Sequence, residues 1–163
     1  MAITDNSLEA LQARITELES RSAIRDLVSD YMHGFDQSDL YSFLSLWWVH
    51  CIWYIGSPFG RFEGHAVIRD AVLAVLWPVW QESHHLTTNL RIEFTDASNA
   101  QSMCDVDCVG TLTDDPAAQI VGATYRDQLQ ARDGQWRILK RDVTIHYFNP
   151  LGGTTLSPPQ DTS

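Results

Sequence analysis

Positive charge is scarce in this sequence. Eleven Lys and Arg stand against 21 Asp and Glu, a formal net charge of −10. Nucleic acids and anionic membranes need clustered cations facing their phosphates, so neither is an expected partner. Cysteine is also scarce. Cys51, Cys104 and Cys108 form an odd set with no C-x-x-C pair. That excludes a disulfide framework and a cysteine zinc site. It predicts buried thiols in a reducing compartment, hence a cytoplasmic location. There is no run of 18 apolar residues, so no membrane-spanning helix is expected. The opening MAITDNSLEALQARITELES lacks the basic-then-apolar order of a secretory signal. No G-x-S-x-G elbow is present, which removes the common serine-nucleophile pattern. No H-x-H or H-E-x-x-H spacing occurs, so no metal site is expected.

Apolar residues make up 44% of the 163, with six tryptophans among them. A single domain of this length buries roughly 70% of its unfolded surface and can still keep a cavity. Aromatics beyond the needs of a core often line a pocket for a flat or greasy ligand.

Helical periodicity runs from residue 7 to 35. Leu8, Leu11, Ile15 and Leu18 mark one stripe, continued by Ile24, Leu27 or Val28, Tyr31 and Phe35. Gly34 and DQSD end it. DLYSFLSLWW reads as a short helix, IWYIG as a first strand and SPFGRFEG as a turn-rich connection. A helix is expected from His65 to Gln81, with Ile68, Val72, Val75, Leu76 and Val79 buried and Pro78 near its end. From there the period becomes two. HLTTNLRIEFTD, AQSMCDVDCVGTLTD, AAQIVGATYRDQLQARDG and QWRILKRDVTIHYF give four strands, with RDGQW as a hairpin turn. Residues 1–20 read as a helical extension, 21–150 as the domain and 151–163 as an irregular tail. Helices followed by a run of antiparallel strands make an α+β layout. A strongly curved sheet wrapped around its helices would leave a conical cavity.

Parity suggests which side chains face that cavity. Val121, Ala123 and Tyr125 share one face. Cys104, Val106, Cys108 and Leu112 form the apolar face of their strand, which leaves Asp107 to solvent or an interface. His146 has the parity opposite to Arg141 and reads as structural. His33, His50 and His65 read as surface or loop residues. Adjacent on a strand, His84 and His85 face opposite ways and cannot readily share an ion. Alternation alone selects His84 as the inward one, because Leu86, Leu90, Ile92 and Phe94 have its parity. A bulge near Thr87 and Thr88 would select His85 instead.

Four blocks together carry a resemblance: AIRDLVSDYMHGFD, LWWVHCIW, LWPVWQESHHLTTNLRIEF and YRDQLQARDGQWRILKRDVTIHYFNPLGG. They resemble the hexachlorocyclohexane dehydrochlorinase branch of the SnoaL-like, nuclear-transport-factor-like superfamily, whose relatives include scytalone dehydratase and bile-acid 7α-dehydratase. The resemblance runs from about Arg21 to Pro159. It implies a cystatin-like cone, assembly as a homotrimer and a cofactor-free site for a hydrophobic small molecule. It matches His85 to the family's base and Asp36 to the aspartate that orients it. Arg141 matches an arginine on the last strand and Trp53 a tryptophan on the first. Tyr31 departs from the dehydrochlorinase pattern, which has a lysine there, and is closer to the dehydratases, which place a tyrosine nearby. Cys108 stands where the bile-acid enzyme is acidic. Leu76, Val121, Tyr125 and Ile145 complete the expected wall. Trp47, Trp48, Trp77 and Trp80 are assigned mainly to the core.

A neutral imidazole oriented by a carboxylate suits proton abstraction beside a leaving group. A phenol at Tyr31 suits an oxygen leaving group better than a halide, and Arg141 would add positive charge to an apolar pocket. The expected function is therefore cofactor-independent lyase chemistry on a cyclic or aromatic compound, by dehydration or retro-aldol-type C–C cleavage. Two alternatives stand beside it. One is dehydrochlorination of a chlorinated ring. The other is a non-catalytic assembly module, like the small subunit of a ring-hydroxylating dioxygenase, with its cavity plugged by side chains.

Overall fold

A computed structural model describes residues 5–153 of the chain. Most of the expected tail, residues 154–163, lies outside the described residues. Helix α1 (Asp5–Asp36) is followed by α2 (Leu40–Ser45), β1 (Trp47–Gly56), β2 (Gly60–Glu63) and α3 (Gly64–Ala71). A π turn (Val72–Leu76) and a 3-10 turn (Trp77–Val79) lead into β3 (Trp80–Phe94), β4 (Asn99–Leu112), β5 (Ala118–Arg132) and β6 (Gln135–Pro150). The strand order is β2-β1-β6-β5-β4-β3. Only β1 and β6 pair in parallel; the other neighbours are antiparallel.

The second half of α1 fills the concave face of the sheet. Ile24, Leu27, Val28, Tyr31, Met32 and Phe35 are all buried there. Their spacing of three and four residues keeps them on one side of the helix. The first half behaves differently. Leu8, Leu11, Ile15 and Leu18 are exposed. Ile24 lies six positions after Leu18, about one and two-thirds turns, so the second stripe does not continue the first. The helix itself runs unbroken across residues 20 and 21.

Gly34 does not end α1. It lies inside the helix, where an added Cβ would stand 3.2 Å from the Phe43 backbone, so the glycine lets α2 pack close. The chain turns at Ser38, with φ of 53°. Asp39 then caps α2 by accepting a hydrogen bond from the Ser42 backbone N–H at 3.1 Å. Trp47 and Trp48 belong to β1 and not to a helix, and Gly60–Glu63 is a strand and not merely a turn. Tertiary pairing overrides local pattern in both places. The helix expected to reach Gln81 ends earlier. The π turn rotates its face, so Ile68, Val72 and Leu76 are buried while Val75 and Val79 are exposed. Pro78 sits in the 3-10 turn, and β3 begins at Trp80. Asp133 and Gly134 both adopt positive φ, 51° and 76°, the geometry of a two-residue hairpin turn.

Two irregularities decide which side chains face inward. In β3 the register against β4 shifts between Thr88 and Arg91, and Asn89 has φ of 56°. The parity reset thus falls at Asn89, just beyond Thr87 and Thr88. Before it Ser83, His85 and Thr87 point in; after it Leu90, Ile92 and Phe94 do. In β6 the register against β5 shifts where Ala123 pairs with Ile145 and Gly122 with Tyr147. His146 is the extra residue there.

Candidate active site

The mouth of the cone holds a cavity of about 100 Å³. Seven residues expected at the site line it: Tyr31, Trp53, Leu76, His85, Val121, Tyr125 and Ile145. Asp36, Cys108 and Arg141 do not line it; each stands behind a residue that does.

Asp36 is the last residue of α1, and the helix delivers its carboxylate to β3. Its Oδ1 lies 2.6 Å from His85 Nδ1 and accepts the Ser83 hydroxyl at 2.7 Å. Its Oδ2 accepts the backbone N–H of His85 at 2.8 Å. Burial opposes the charged carboxylate. The hydrogen bonds and charge of His85, with the Ser83 bond, outweigh it and hold Asp36 below its ordinary value of 3.8. A carboxylate can only accept, so Nδ1 carries the proton. In the neutral imidazole the other ring nitrogen, Nε2, then has a free lone pair. The His85 side chain is 10% exposed. Phe35 meets its ring nearly edge-on, centroids 5.2 Å apart. His84 is exposed and takes no part in the wall.

Tyr31 is 1% exposed and closes the inner end of the cavity. Burial pushes its phenol above the ordinary tyrosine range, with partial relief from Arg141, so it stays protonated. Tyr125 meets it edge-on at 5.9 Å and is raised for the same leading reason. Arg141 lies behind this pair. Its guanidinium is 4.0 Å from the Tyr31 ring centroid and 4.6 Å from that of Tyr125. Asp127 accepts two hydrogen bonds from it, each 2.7 Å, and the ion pair is fully buried. Arg141 therefore supports the two tyrosines instead of supplying a free cation to the cavity. Among the described residues one of its nitrogens, Nη1, is buried with no hydrogen-bond partner, and so is the indole N–H of Trp53.

Cys108 is also a correction. It pairs in register with His85 and is buried, so it backs the histidine without touching the cavity. Burial, and then the charge of Asp36, push its thiol up to about 12. Among the described residues all three cysteines are free and buried. His65 is not a loose surface group: its Nε2 lies 2.9 Å from the Trp47 carbonyl oxygen. His33 and His50 are exposed on α1 and β1. His146 meets Thr124 Oγ1 at 2.8 Å, and Asp107 accepts from Tyr147 at 2.7 Å; both acceptor and histidine are exposed.

Several neighbours escaped the sequence reading: Phe35, Ile55, Phe59, Val143 and Phe148 also line the cavity. Ala123 lines it beside Val121 and Tyr125, whose parity it shares, and Trp80, assigned to the core, lines it too. Trp80 and Phe148 stack against each other in its wall, with planes 4° apart and centroids at 5.9 Å. Phe148 was hidden by the β6 irregularity. Asp127 and Ser83 could have been found, since they share parity with Tyr125 and His85. Among the described residues no group of three or more His, Cys, Asp and Glu could hold a metal ion, and no helix is long and apolar enough to cross a membrane.

The SnoaL-like domain family matches residues 16–142. Hexachlorocyclohexane dehydrochlorinase 1 from Sphingobium indicum is 35% identical over 145 residues, 89% of this chain and 94% of the relative. The solved structure of a type 2 hexachlorocyclohexane dehydrochlorinase, LinA, superposes with a TM-score of 0.85 at 35% identity, covering 90% of this chain and 98% of the other. A scytalone dehydratase-like protein from Novosphingobium aromaticivorans shares the fold at a TM-score of 0.77 and 19% identity, covering 89% and 96% of the two chains.

Proposed function

The chain belongs to the SnoaL-like domain family and is of the lyase type, and we propose that it eliminates a leaving group from a small hydrophobic ring without a cofactor. His85 Nε2 takes a proton from a ring carbon. The C–H electrons form the new double bond, and the neighbouring substituent departs with its bonding pair. Asp36 keeps the proton on Nδ1 and stabilises the imidazolium that forms. Tyr31 donates a proton to the departing group, which favours an oxygen substituent leaving as water. The proton gained by His85 then restores the phenol. The wall is largely apolar, which strengthens these short-range electrostatics. The single observation that carries the reading is the 2.6 Å contact between His85 Nδ1 and Asp36 at the edge of an apolar cavity.

A second reading, loss of chloride from a chlorinated ring, draws support from the dehydrochlorinase relatives. Against it stands the lack of any Lys or Arg among the described residues of the cavity wall. The cavity itself speaks against a plugged assembly module. The deciding experiment offers hydroxylated and chlorinated rings to wild type, His85→Ala and Asp36→Asn. Alkene formed with water from the former, or with chloride from the latter, separates the two readings. Turnover that survives both substitutions sinks the His85 mechanism.

A further inference from the structure

The first half of α1 carries an apolar stripe that the fold leaves open. Leu8, Leu11, Ile15 and Leu18 are 50, 49, 54 and 65% exposed. Scattered exposed leucines are ordinary, but an aligned row of large side chains marks an interaction surface. Their spacing is three, four and three residues. That is the a/d repeat of a coiled-coil seam, narrower than the stripe of a helix that packs on a sheet. The cone cannot reach it. Ala13, Thr16, Glu17, Glu19, Ser20 and Arg21 of this helix half border the turn between β3 and β4, near Ala97. At 3.6 residues per turn the middle of the stripe lies opposite the middle of that set, with Glu19 at the edge between the two.

The flanking charges identify the occupant. With Leu8 and Ile15 at a, and Leu11 and Leu18 at d, Arg14 falls at g and Glu19 at the following e. In a parallel, in-register pair of helices, a g residue meets the e residue of the next heptad on its partner. Arg14 of one copy therefore meets Glu19 of the other, twice by symmetry. Among the described residues neither side chain has a hydrogen bond or ion pair within its own chain, whereas Arg21 is committed to Glu17 at 2.8 Å. Ile at the central a position with Leu at both d positions favours two strands.

We propose that this stripe is a docking surface for the same stripe of a second copy of the chain, parallel and in register. An isolated helix of two heptads would not hold together. Here it continues into the half of α1 sealed within the cone, so the helix is already formed before two copies meet. The family match begins at residue 16, so most of the stripe precedes the matched domain. The pairing does not depend on the chemistry of the cavity.

Full-length Leu11→Cys tests it, since Cys51, Cys104 and Cys108 are buried. Mild oxidation should give a covalent dimer on a non-reducing gel, because facing d positions adjoin. Ala10→Cys, exposed but off the stripe, should give at least about tenfold less. In sedimentation velocity Leu11→Glu/Ile15→Glu should run at half the mass of the parent, with unchanged circular dichroism. Arg14→Glu should lower the Leu11→Cys dimer yield, and adding Glu19→Arg should restore it. Equal cross-linking at positions 10 and 11 would overturn the proposal. So would an unchanged mass, or a charge swap that restores nothing. Strong linkage between Leu8→Cys of one copy and Leu18→Cys of another would replace it with an antiparallel pair.

Discussion

Asp36 holds His85 at two points, the ring through Oδ1 at 2.6 Å and the backbone through Oδ2 at 2.8 Å. The first contact fixes the tautomer. The second ties β3 to the end of α1, so the ring cannot drift from its partner. Asp36→Asn should split these roles. An amide oxygen can still accept one bond, but the amide nitrogen cannot accept the other. If the oxygen serves the backbone, Nδ1 loses its acceptor and the imidazole can adopt the wrong tautomer. We expect kcat to fall roughly 10²- to 10⁴-fold with little change in KM. His85→Ala should abolish turnover. Steady-state kinetics check both, and wild-type kcat in Asp36→Asn would remove Asp36 from the mechanism.

The same carboxylate makes stability depend on pH. Its folded value lies below the ordinary 3.8, because the bonds from His85 and Ser83 overcome the cost of burial. A depressed acid stabilises the fold above its unfolded value. That contribution is lost as pH falls from there through the folded value. The melting temperature should therefore drop between about pH 5 and about pH 3, and Asp36→Asn should drop less steeply over that window. Parallel melting curves for the two proteins across the window would show that Asp36 adds nothing.

Much of this arrangement could be read from the residues. Period-two patterning located β4, β5 and β6, because each strand buries one face in the core. The resemblance picked out His85 and Asp36, which lie 49 positions apart and which no local pattern could join. Alternation alone failed at His85, because the parity reset depends on one backbone angle at Asn89. Arg141 was expected to add positive charge to the pocket, and the structure places it behind the cavity wall. Its bidentate partner Asp127 is a tertiary fact, and that bond turns the guanidinium behind the tyrosines. The β2 strand was hidden because its pairing with β1, not its own four residues, makes it a strand.

Gly110 tests how tightly the strand carrying His85 is held. It pairs in register with Ser83. An added Cβ would collide with the Glu82 carbonyl oxygen and stand 3.0 Å from the Ser83 Cα. Those are backbone atoms, so β3 itself must move. Gly110→Ala should cost about 1–3 kcal/mol of stability, read by urea denaturation. It should also lower kcat of the folded fraction, since Ser83 and His85 sit on the displaced segment. Full activity with unchanged stability would mean that β3 yields freely at this point.

Tyr31 separates the two leaving groups. Tyr31→Phe keeps the ring that packs against Phe43 at 5.0 Å and Arg141 at 4.0 Å, and removes only the hydroxyl. Hydroxide is a poor leaving group and needs a proton as it departs. Chloride is a weak base and needs none. If oxygen leaves, Tyr31→Phe should lower kcat by roughly 10²-fold or more. If chloride leaves, the loss should stay below about tenfold, the scale of one hydrogen bond. Tyr31→Lys runs the comparison in the other direction. It puts a cation where the phenol stood, so it should raise chloride release from a chlorinated ring and depress loss of water from a hydroxylated one. Measured on both substrates, a large Tyr31→Phe defect confined to water loss assigns Tyr31 as the proton donor. Equal small effects on both would leave it as a wall residue.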